Sequence, residues 1–500
     1  MIQLAKQKVL MVLPYHHPNF INFLPEFEPY AFLILGTMVQ DIAEVQVLDM
    51  RYEKRSALPK KIKEFQPDVI GIRAHTAADT DTTLEIAQTC RASSDKAMIV
   101  IGGQGCTLQP HDFNSPNIDV MCLGHADRTF RELLEAKQAG RDLGEVPGIV
   151  IVKEGQLQFT ASREISSGMI AWPALRRDLV ARYRKHYDGQ MTLTSMGCPW
   201  RCKFCTLWIV PQGAYLLREP ENIVDDIASC DSQMIYIGDD NTFHNYRHAM
   251  KVAELLEQRG IKKHYGAYAR TDTICKYPDL FRRWAKLGLI QLVVGFEAFK
   301  PEDLAYVNKR NSIENNTSAA KILNEAGITA LAHFISFPDF TVKDFKDLWN
   351  YVDSLNVTYP IFVPLTPLPG TPTFNEAKEK DELDNFDLGW YNLEYMVFKT
   401  KLPKWRWYAE QMLLWYKSVS PMTFLKRHRN AGWSLAAYLF RLRKVLKATP
   451  KYVFCMAKQL WAERRFAKGR AQAAPTYKTF QKGYVSPYVK RVLEKVPLNE

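Results

Sequence analysis

The stretch Cys198-Pro199-Trp200-Arg201-Cys202-Lys203-Phe204-Cys205 decides how the rest of this sequence is interpreted. It spaces three cysteines as CxxxCxxC, in a chain that has only 9 cysteines among 500 residues. Three thiolates on one short loop can bind three irons of a [4Fe–4S] cluster, whereas most such clusters take four cysteines. The fourth iron would keep an open position, where a substrate or cofactor can coordinate. The spacing therefore predicts Cys198, Cys202 and Cys205 as ligands of an iron–sulfur centre with one reactive iron.

Zinc is the main alternative for this loop, and a group of three unrelated core thiols is a weaker one. A structural zinc site needs four Cys or His ligands. No Cys or His follows within twenty residues of Cys205, and the nearest one before the loop is His186. The missing fourth ligand favours the cluster over zinc.

Length and composition predict a cytoplasmic protein of two or three domains. Five hundred residues exceed one ordinary domain, and a hydrophobic content of 47% is typical of a soluble globular chain. The apolar run at residues 9–13 is too short for a signal peptide, and no run approaches the length of a membrane span. Scattered cysteines without a secretory signal argue against a disulfide scaffold, and an iron–sulfur cluster needs a reducing compartment.

Residues 1–150 alternate short apolar strands with helical segments, a pattern typical of a doubly wound, Rossmann-like parallel sheet. Ligands of such sheets bind beyond the carboxyl ends of the strands, where glycine lets a ligand lie against bare backbone. No GxGxxG follows the first strand, which argues against a nicotinamide or flavin dinucleotide. The predicted strands cover residues 8–14, 45–49, 68–72, 98–101 and 119–122. The residues expected at the ligand edge are Pro14, Arg73, His75, Thr76, Gly102, Gly103 and Gly124.

Residues 191–380 repeat a strand followed by a helix six times, which predicts a partial (βα)6 barrel of the TIM type. Active-site residues of such barrels lie at the carboxyl ends of the strands, and the cysteine loop follows the first predicted strand. The predicted strands cover residues 191–195, 233–237, 265–269, 291–296, 330–336 and 361–365. The candidate site residues at the later strand ends are Gly238, Asp239, Asp240, Arg270 and Glu297. For the charged members, structural ion pairs in the barrel mouth are the alternative.

The remaining segments connect and follow the two sheets. Residues 151–190 are predicted to form a linker, with a hairpin strand at 155–159 and a basic part placed to cover the active site. Residues 381–500 are predicted to be a helical region that ends in a polar, loosely held tail from residue 471.

The net charge of +12 is concentrated in the C-terminal helices, which are rich in Trp, Tyr, Lys and Arg. Basic amphipathic helices with aromatic belts suit a membrane surface or a lipid substrate. A plain helical cap on the barrel is the favoured explanation, a membrane or lipid surface comes second, and nucleic-acid binding is the least favoured one. Trp405 and Trp407 lie about 200° apart around a helix, so they cannot both face one core. Part of this aromatic surface should therefore be exposed.

The cysteine loop resembles the cluster-binding motif of the radical S-adenosylmethionine (SAM) enzymes, in which an aromatic residue such as Phe204 precedes the last cysteine. The lead-in MGCPW at 196–200 is similar to that of the branch with an N-terminal cobalamin-binding domain. DVIGIRAHT at 68–76 and VIGGQGCTLQP at 100–110 resemble segments of that domain. MCLGHADRTFRELLEA at 121–136 matches in part, since His125 and Asp127 replace the usual acidic residues. The resemblance covers roughly residues 5 to 380.

The resemblance implies how three cofactors would be held. The open iron would chelate the amino and carboxylate groups of SAM, with Gly238, Asp239 and Asp240 similar to the family's SAM-amino motif. Arg270 would pair with the SAM carboxylate, and Glu297 would take ribose hydroxyls or a substrate proton; these two are the catalytic candidates. The motif PLPGTP at 367–372 matches the family closely, whereas Phe337 stands where the family often has glycine.

Cobalamin would bind across the strand ends of residues 1–150 without the histidine of the DxHxxG motif, which is absent here. Arg73 and His75 are the candidates for the position under the cobalt, or they are polar strand ends bonded to the backbone. A guanidinium cannot ligate cobalt, because it stays protonated. We expect a bulky residue in place of Gly103 to enter the path of the ligand and block binding.

The resemblance implies a cobalamin-dependent radical SAM enzyme that methylates an unactivated carbon through a 5′-deoxyadenosyl radical and methylcobalamin. The alternatives are an oxidative cyclase without methyl transfer and an iron–sulfur regulatory or binding protein. The implied partners are a small-molecule or lipid-like substrate and an electron donor such as flavodoxin or ferredoxin, with possible peripheral contact to the inner membrane face. No motif identifies the substrate.

Overall fold

The computed structural model describes residues 5–17, 26–431, 435–467 and 477–498. In this part of the chain a sheet of seven strands and a sheet of six strands carry the fold, and helices follow them. The predicted fold class, a doubly wound α/β domain followed by a partial parallel barrel and a helical region, is confirmed.

The N-terminal sheet has the order β2-β1-β3-β4-β5-β6-β7, and its first five strands are parallel. The five parallel strands are mostly buried because helices cover both faces. The order reverses between β1 and β3, the point where such sheets bind ligands. The strands are β1 (Gln7–Leu13), β2 (Ala43–Asp49), β3 (Val69–Arg73), β4 (Met98–Gly102), β5 (Val120–Cys122) and the antiparallel hairpin β6 (Ile149–Lys153) and β7 (Gln156–Phe159). The helices are α1 (Tyr30–Met38), α2 (Ala57–Phe65), α3 (Thr80–Ser93), α4 (Gln104–Leu108) and α5 (Ala126–Ala139).

The segment after β7 links the two sheets through buried ion pairs. It contains β8 (Gly168–Ile170) and a 3-10 helix, Arg177–His186. Arg177 lies between two fully buried carboxylates, 3.3 Å from Glu28 of the first domain and 2.5 Å from Asp226 of the second. Because removal of one partner would leave a buried charge unpaired, this bridge fixes the domains against each other.

The second sheet begins with β9 (Gln190–Thr192). After β9 the chain forms part of a small three-stranded sheet and then returns to the second sheet. β10 (Ser195–Met196) and β11 (Leu216–Arg218) pair with β8 in the small sheet. The predicted strand 191–195 is therefore wrong in its second half, because Asp239 draws Thr194 and Ser195 out of the barrel. The parallel strands that continue the barrel are β12 (Met234–Ile237), β13 (His264–Arg270), β14 (Leu289–Glu297), β15 (Thr329–Ser336) and β16 (Tyr359–Pro364). The helices around them are α6 (Pro220–Ala228), α7 (Tyr246–Gln258), α8 (Thr271–Lys276), α9 (Pro278–Leu287), α10 (Pro301–Tyr306), α11 (Ile313–Glu325), α12 (Val342–Ser354) and α13 (Pro372–Glu379).

The next helices pack on the edge of the barrel at β16. They are α14 (Lys404–Ser418), α15 (Pro421–Ala431) and α16 (Leu435–Ala467). The indole N–H of Trp407 donates to the carbonyl of Phe337 at 3.0 Å, and the Gln411 side-chain amide donates to Phe362 at 3.0 Å. The described helices include none with the length and apolar character that a membrane span requires.

The predicted loosely held tail is wrong for residues 477–498, whereas 471–476 and 499–500 lie outside the described residues. This segment forms α17 (Pro487–Lys495), which buries Tyr488, Val489 and Val492 against Trp208 and Ile209. Although the segment is polar overall, its apolar residues recur three or four positions apart. Residues at this spacing lie on one helix face.

Candidate active site

The cysteine loop lies at the carboxyl edge of the barrel, and each of its three sulfurs faces one N–H donor. The Asn241 amide lies 3.9 Å from Cys198, an Arg270 guanidinium nitrogen lies 3.9 Å from Cys202, and the backbone N–H of Leu207 lies 3.5 Å from Cys205. N–H groups directed at cysteine sulfur stabilise the thiolate form that binds iron and tune the potential of a bound cluster. Phe204 packs against the barrel core.

The free thiols of Cys198 and Cys205 are protonated at neutral pH. Burial raises the pKa of Cys198 to about 11 and that of Cys205 well above its ordinary value, and the charge of Cys202 adds to both shifts. Because iron binds the thiolate, assembly of a cluster here would release protons. Within the described residues, no three His, Cys, Asp or Glu side chains are grouped closely enough for a single metal ion.

The two acidic residues after β12 hold the start of the cysteine loop. Asp239 accepts hydrogen bonds from the Thr194 backbone N–H at 2.6 Å, from the Ser195 hydroxyl at 3.0 Å and from the Thr194 hydroxyl. Asp240 accepts the Gly197 N–H at 2.7 Å. Burial raises their pKa values, to about 6 for Asp239 and about 7 for Asp240. Their carboxylates therefore fix the loop backbone.

Gly238, which precedes this pair, has a packing role. A Cβ at this position would lie 2.7 Å from the sulfur of Met191, so a larger residue would require the Met191 side chain to move.

Arg270, at the end of β13, is held on three sides. Its guanidinium pairs with Asp272 at 3.0 Å, donates to the Lys309 carbonyl at 2.7 Å and lies 4.1 Å above the ring of Trp200 in the cysteine loop. A cation over an aromatic face contributes about 0.5–2 kcal/mol, depending on how dry the site is. This arrangement places the guanidinium beside Cys202, and Asp272 is the carboxylate that pairs with it.

Glu297, at the end of β14, has a left-handed backbone with φ of 63°, a conformation that costs a non-glycine residue energy and occurs often at functional sites. Its carboxylate pairs with Lys309 at 2.6 Å, and both side chains are almost fully buried. A Cβ at Gly295 would collide with both groups, which explains the glycine. Lys309 was not identified from the sequence, since it lies in a loop between two helices and carries no motif.

A cavity of about 280 Å³ opens at the carboxyl edge of the N-terminal sheet, at the switch point between β1 and β3. Its apolar wall includes residues of α1, and its floor is the strand ends. Five of the predicted ligand residues line it: Arg73, His75, Gly102, Gly103 and Gly124. The other two, Pro14 and Thr76, are not among the lining residues, and Thr76 instead donates to Asp79 at 3.0 Å in a capping box.

The cavity is lined by one half-buried cation beside a neutral imidazole. Arg73 makes no ion pair with any described residue, and burial lowers its pKa to about 10, so it stays charged at neutral pH. The charge of Arg73, together with burial, lowers the pKa of His75 well below its ordinary value. His75 faces the open cavity as a neutral ring with a free lone pair.

The two glycines at the end of β4 differ in what a side chain would meet. Gly103 has φ of 129°, and a Cβ there would collide with the backbone carbonyl of Ala74. The expectation that a side chain at Gly103 would enter the path of the ligand is therefore wrong, because it would strain the backbone first. At Gly102 the nearest atom to a Cβ is 3.8 Å away, and the position lines the cavity.

The cavity and the cysteine loop are adjacent. Met196 lines the cavity, and Cys198 follows two residues later. The side chain of Gln104, at the start of α4, donates to the hydroxyl of Thr206 at the other end of the loop. A ligand in the cavity would therefore face the barrel mouth across the cysteine loop.

These two edges define a protein that joins a ligand-binding α/β domain to an iron–sulfur barrel. The family described as B12 binding domain matches residues 17–134, and the Radical SAM superfamily matches residues 192–352. The chain therefore combines a B12-binding domain with a radical SAM domain, and it is homologous to the cobalamin-dependent radical SAM methylases. The predicted pairing of these two domains is confirmed.

The chain is similar to three known proteins over most of its length. The hopanoid C-3 methylase of Methylococcus capsulatus is 26% identical over 434 residues, which cover 84% of this chain and 81% of the relative. The anaerobic magnesium-protoporphyrin IX monomethyl ester cyclase of Cereibacter sphaeroides is 25% identical over 70% of this chain and 59% of its own length. The structure of the radical SAM methyltransferase TsrM from Kitasatospora setae, with cobalamin and a [4Fe–4S] cluster bound, is 19% identical and superposes with a TM-score of 0.69 over 89% of this chain and all of that one. This structural likeness concerns the fold.

Proposed function

We propose that this protein is a cytoplasmic, cobalamin-dependent radical SAM methyltransferase that acts on an unactivated carbon of a small-molecule or lipid-like substrate. The observation that carries the proposal is the junction at Met196, where the wall of the cavity runs directly into the cysteine loop. A methyl donor on one edge and a radical generator on the other would share one substrate space. Homology to the hopanoid C-3 methylase supports methyl transfer as the reaction.

The residues of the barrel edge fit a cluster and SAM. Cys198, Cys202 and Cys205 would hold three irons, and the donors at their sulfurs would stabilise the thiolates. Glu297 would accept the ribose hydroxyls of SAM while its carboxylate is held by Lys309 at 2.6 Å. Arg270 would attract the SAM carboxylate, in competition with Asp272. Asp239 and Asp240 would act by fixing the loop, and backbone oxygens near Gly238 would bind the SAM ammonium.

The residues of the cavity fit the flat, largely apolar face of a corrin. Gly102 and Gly124 present backbone without side chains, and the apolar wall excludes water. Arg73, which stays charged and cannot ligate a metal, would keep water and other ligands away from the lower face. His75, which is neutral, is the alternative ligand there. When bound together, the cluster, SAM and cobalamin would supply a 5′-deoxyadenosyl radical and a transferable methyl group.

The C-terminal helices support contact with an anionic membrane. On α16 an apolar stripe is exposed beside Arg443 and Lys447, and Phe454 within it is 70% exposed. Trp405 is 55% exposed and Trp407 is fully buried, as expected for residues on opposite sides of α14. The stripe consists of Leu435, Leu439, Leu446, Val453, Phe454 and Trp461. Exposed apolar patches flanked by basic residues are typical of peripheral membrane surfaces, and co-sedimentation with anionic liposomes at low salt tests this one.

Anaerobic reconstitution with iron, sulfide, SAM, a reductant and cobalamin tests the reaction. The proposal expects S-adenosylhomocysteine and 5′-deoxyadenosine together, and a product in which one hydrogen is replaced by a methyl group. Homology to the cyclase makes cyclisation the second candidate reaction, and a cyclised product gains no carbon. Formation of 5′-deoxyadenosine without S-adenosylhomocysteine would therefore favour cyclisation over methyl transfer.

A further inference from the structure

The cysteine loop has three sides, and the proposed function occupies two of them. One side meets the cavity at Met196, and a second faces the barrel mouth through Arg270 and Glu297. The third, outer side is covered by the C-terminal segment, residues 477–498. An electron that reduces the cluster has to enter from outside the protein, so this outer side is the remaining route.

The C-terminal segment is bonded directly to the cysteine loop. The guanidinium of Arg201, which lies between the first two cysteines, donates to the carbonyl of Pro497. Gln212 donates to the hydroxyl of Tyr488 at 3.4 Å, and a Cβ at Gly213 would lie 2.9 Å from the methyl groups of Val496. Only the thickness of one helix, about 10 Å, therefore separates the outer surface from the loop.

The same segment is fixed to the barrel loop that braces the site. Asn308 and Arg310 donate to the carbonyl of Leu498 at 3.3 and 2.9 Å. The backbone N–H of Lys203, between the second and third cysteines, donates to the carbonyl of Val307 at 3.0 Å. The cysteine loop, the barrel loop and the C-terminal segment thus form one hydrogen-bonded unit.

The outward face of α17 is basic. Tyr488, Val489 and Val492 are buried, whereas three exposed side chains carry positive charge and Glu494 alone among the helix residues carries a negative one. We define the basic α17 face by Lys490, Arg491 and Lys495. Lys495 pairs with Glu164 of the first domain, so Lys490 and Arg491 form the outer part of the face.

We propose that the basic α17 face is the docking surface for an acidic one-electron donor protein of the flavodoxin or ferredoxin class. This inference rests on the proposed function, because it assigns the route by which the cluster is reduced. The reduced donor would give one electron to the cluster and leave oxidised by one electron. Complementary charge steers the encounter of two proteins and raises the association rate by about 10- to 1000-fold at low salt.

The test compares charge-reversed proteins that all contain the reconstituted cluster. The variant is Lys490→Glu with Arg491→Glu, and the matched control is Arg247→Glu with Lys251→Glu, two exposed bases on α7. Stopped-flow absorbance follows cluster reduction by a purified, reduced acidic flavodoxin at low and high salt. A parallel series uses photoreduced 5-deazariboflavin, a small uncharged reductant that needs no docking surface.

The proposal expects the α17 variant to be reduced by flavodoxin about tenfold more slowly at low salt, with a weaker salt dependence. The control should keep the wild-type rate, and deazariboflavin should reduce all three proteins equally. Equal flavodoxin rates for wild type and variant would overturn the docking surface, and so would an equal loss with deazariboflavin, which would indicate damage to the cluster. Failure of the wild type to hold a cluster at all would overturn the proposed function instead.

Discussion

The carboxyl edges of the two sheets use opposite means to hold a ligand. At the barrel edge every predicted charged residue is already fixed by the protein: Asp239 by Thr194, Arg270 by Asp272, and Glu297 by Lys309. At the N-terminal edge the floor is bare backbone and apolar side chains, with Arg73 as a lone cation. A small charged ligand suits the first edge, and a large flat one suits the second.

The comparison explains why the two edges tolerate change differently. Buried polar groups that bond to one another cost energy when one partner is lost, because the other remains unsatisfied. A cavity with glycines responds instead to volume. We therefore expect substitutions at the barrel edge to impair ligand binding by breaking hydrogen bonds. Substitutions at the N-terminal edge should impair it by filling the cavity.

The largest effect is expected from the cluster ligands themselves. Cys202→Ala should abolish the cluster, because three thiolates are the minimum for the proposed site. Iron and sulfide content, together with the visible absorbance of the reconstituted protein, measures this. Cys275→Ala, outside the loop, is the control and should keep a full cluster. A cluster retained in Cys202→Ala, or lost in the control, would contradict the assignment.

The next effect concerns the carboxylate that fixes the loop. Asp239→Ala should lower the stability of the cluster-free protein by about 1–3 kcal/mol and reduce cluster incorporation, because buried donors of Thr194 and Ser195 lose their acceptor. Thermal unfolding and iron content measure both. Asp225→Ala removes an exposed carboxylate of α6 that pairs with Arg259, and it should change neither. Unchanged iron content in Asp239→Ala would show that the cysteine loop keeps its conformation without this carboxylate, and it would contradict the prediction.

The N-terminal edge should respond to added volume alone. Gly102→Leu should weaken cobalamin binding at least tenfold and leave the fold intact, since a Cβ there meets nothing closer than 3.8 Å. Titration followed by absorbance gives the affinity, and circular dichroism checks the fold. Gly168→Leu, at an open position outside the cavity, is the control. Full-affinity binding by Gly102→Leu would place cobalamin elsewhere.

The smallest effect is expected at Asp240, and it concerns the pH dependence of stability. Burial raises its pKa from about 4 in the unfolded chain to about 7, so the wild-type protein loses stability as pH rises through this range and the buried carboxyl ionises. Asp240→Asn keeps an acceptor for the Gly197 N–H and cannot ionise. Unfolding midpoints of the cluster-free proteins at pH 5 and pH 8 should therefore differ less in the variant. A pH dependence identical to that of the wild type would contradict the raised pKa.

Much of this architecture follows from the sequence. The spacing of Cys198, Cys202 and Cys205 and the apolar strand runs predicted the cluster loop, the two parallel sheets and most strand positions. These features depend on local patterns, which survive in a single sequence. The predicted end of the first barrel strand was wrong, because the hydrogen bond that the Thr194 N–H donates to Asp239 joins residues 45 positions apart.

The features that escaped prediction depend on contacts between distant segments. Lys309 reaches Glu297 only because left-handed residues at Asn308 and Arg310 turn its loop into the barrel mouth. The C-terminal segment was misjudged from its polar composition, although its apolar residues recur at helical spacing. The need for glycine at position 103 depends on the Ala74 carbonyl, which a Cβ at Gly103 would meet. The sequence alone does not reveal this contact.

The central claim is that ligands of the two edges face each other across the cysteine loop. Electron paramagnetic resonance tests it directly, since a reduced cluster nearby speeds the relaxation of the unpaired electron on Co(II) cobalamin. The protein reconstituted with both cofactors should show faster cobalt relaxation after cluster reduction, and cobalamin-loaded Cys202→Ala should show no change under the same reductant. Cobalt relaxation that is identical with the cluster oxidised, reduced or missing would contradict the claim.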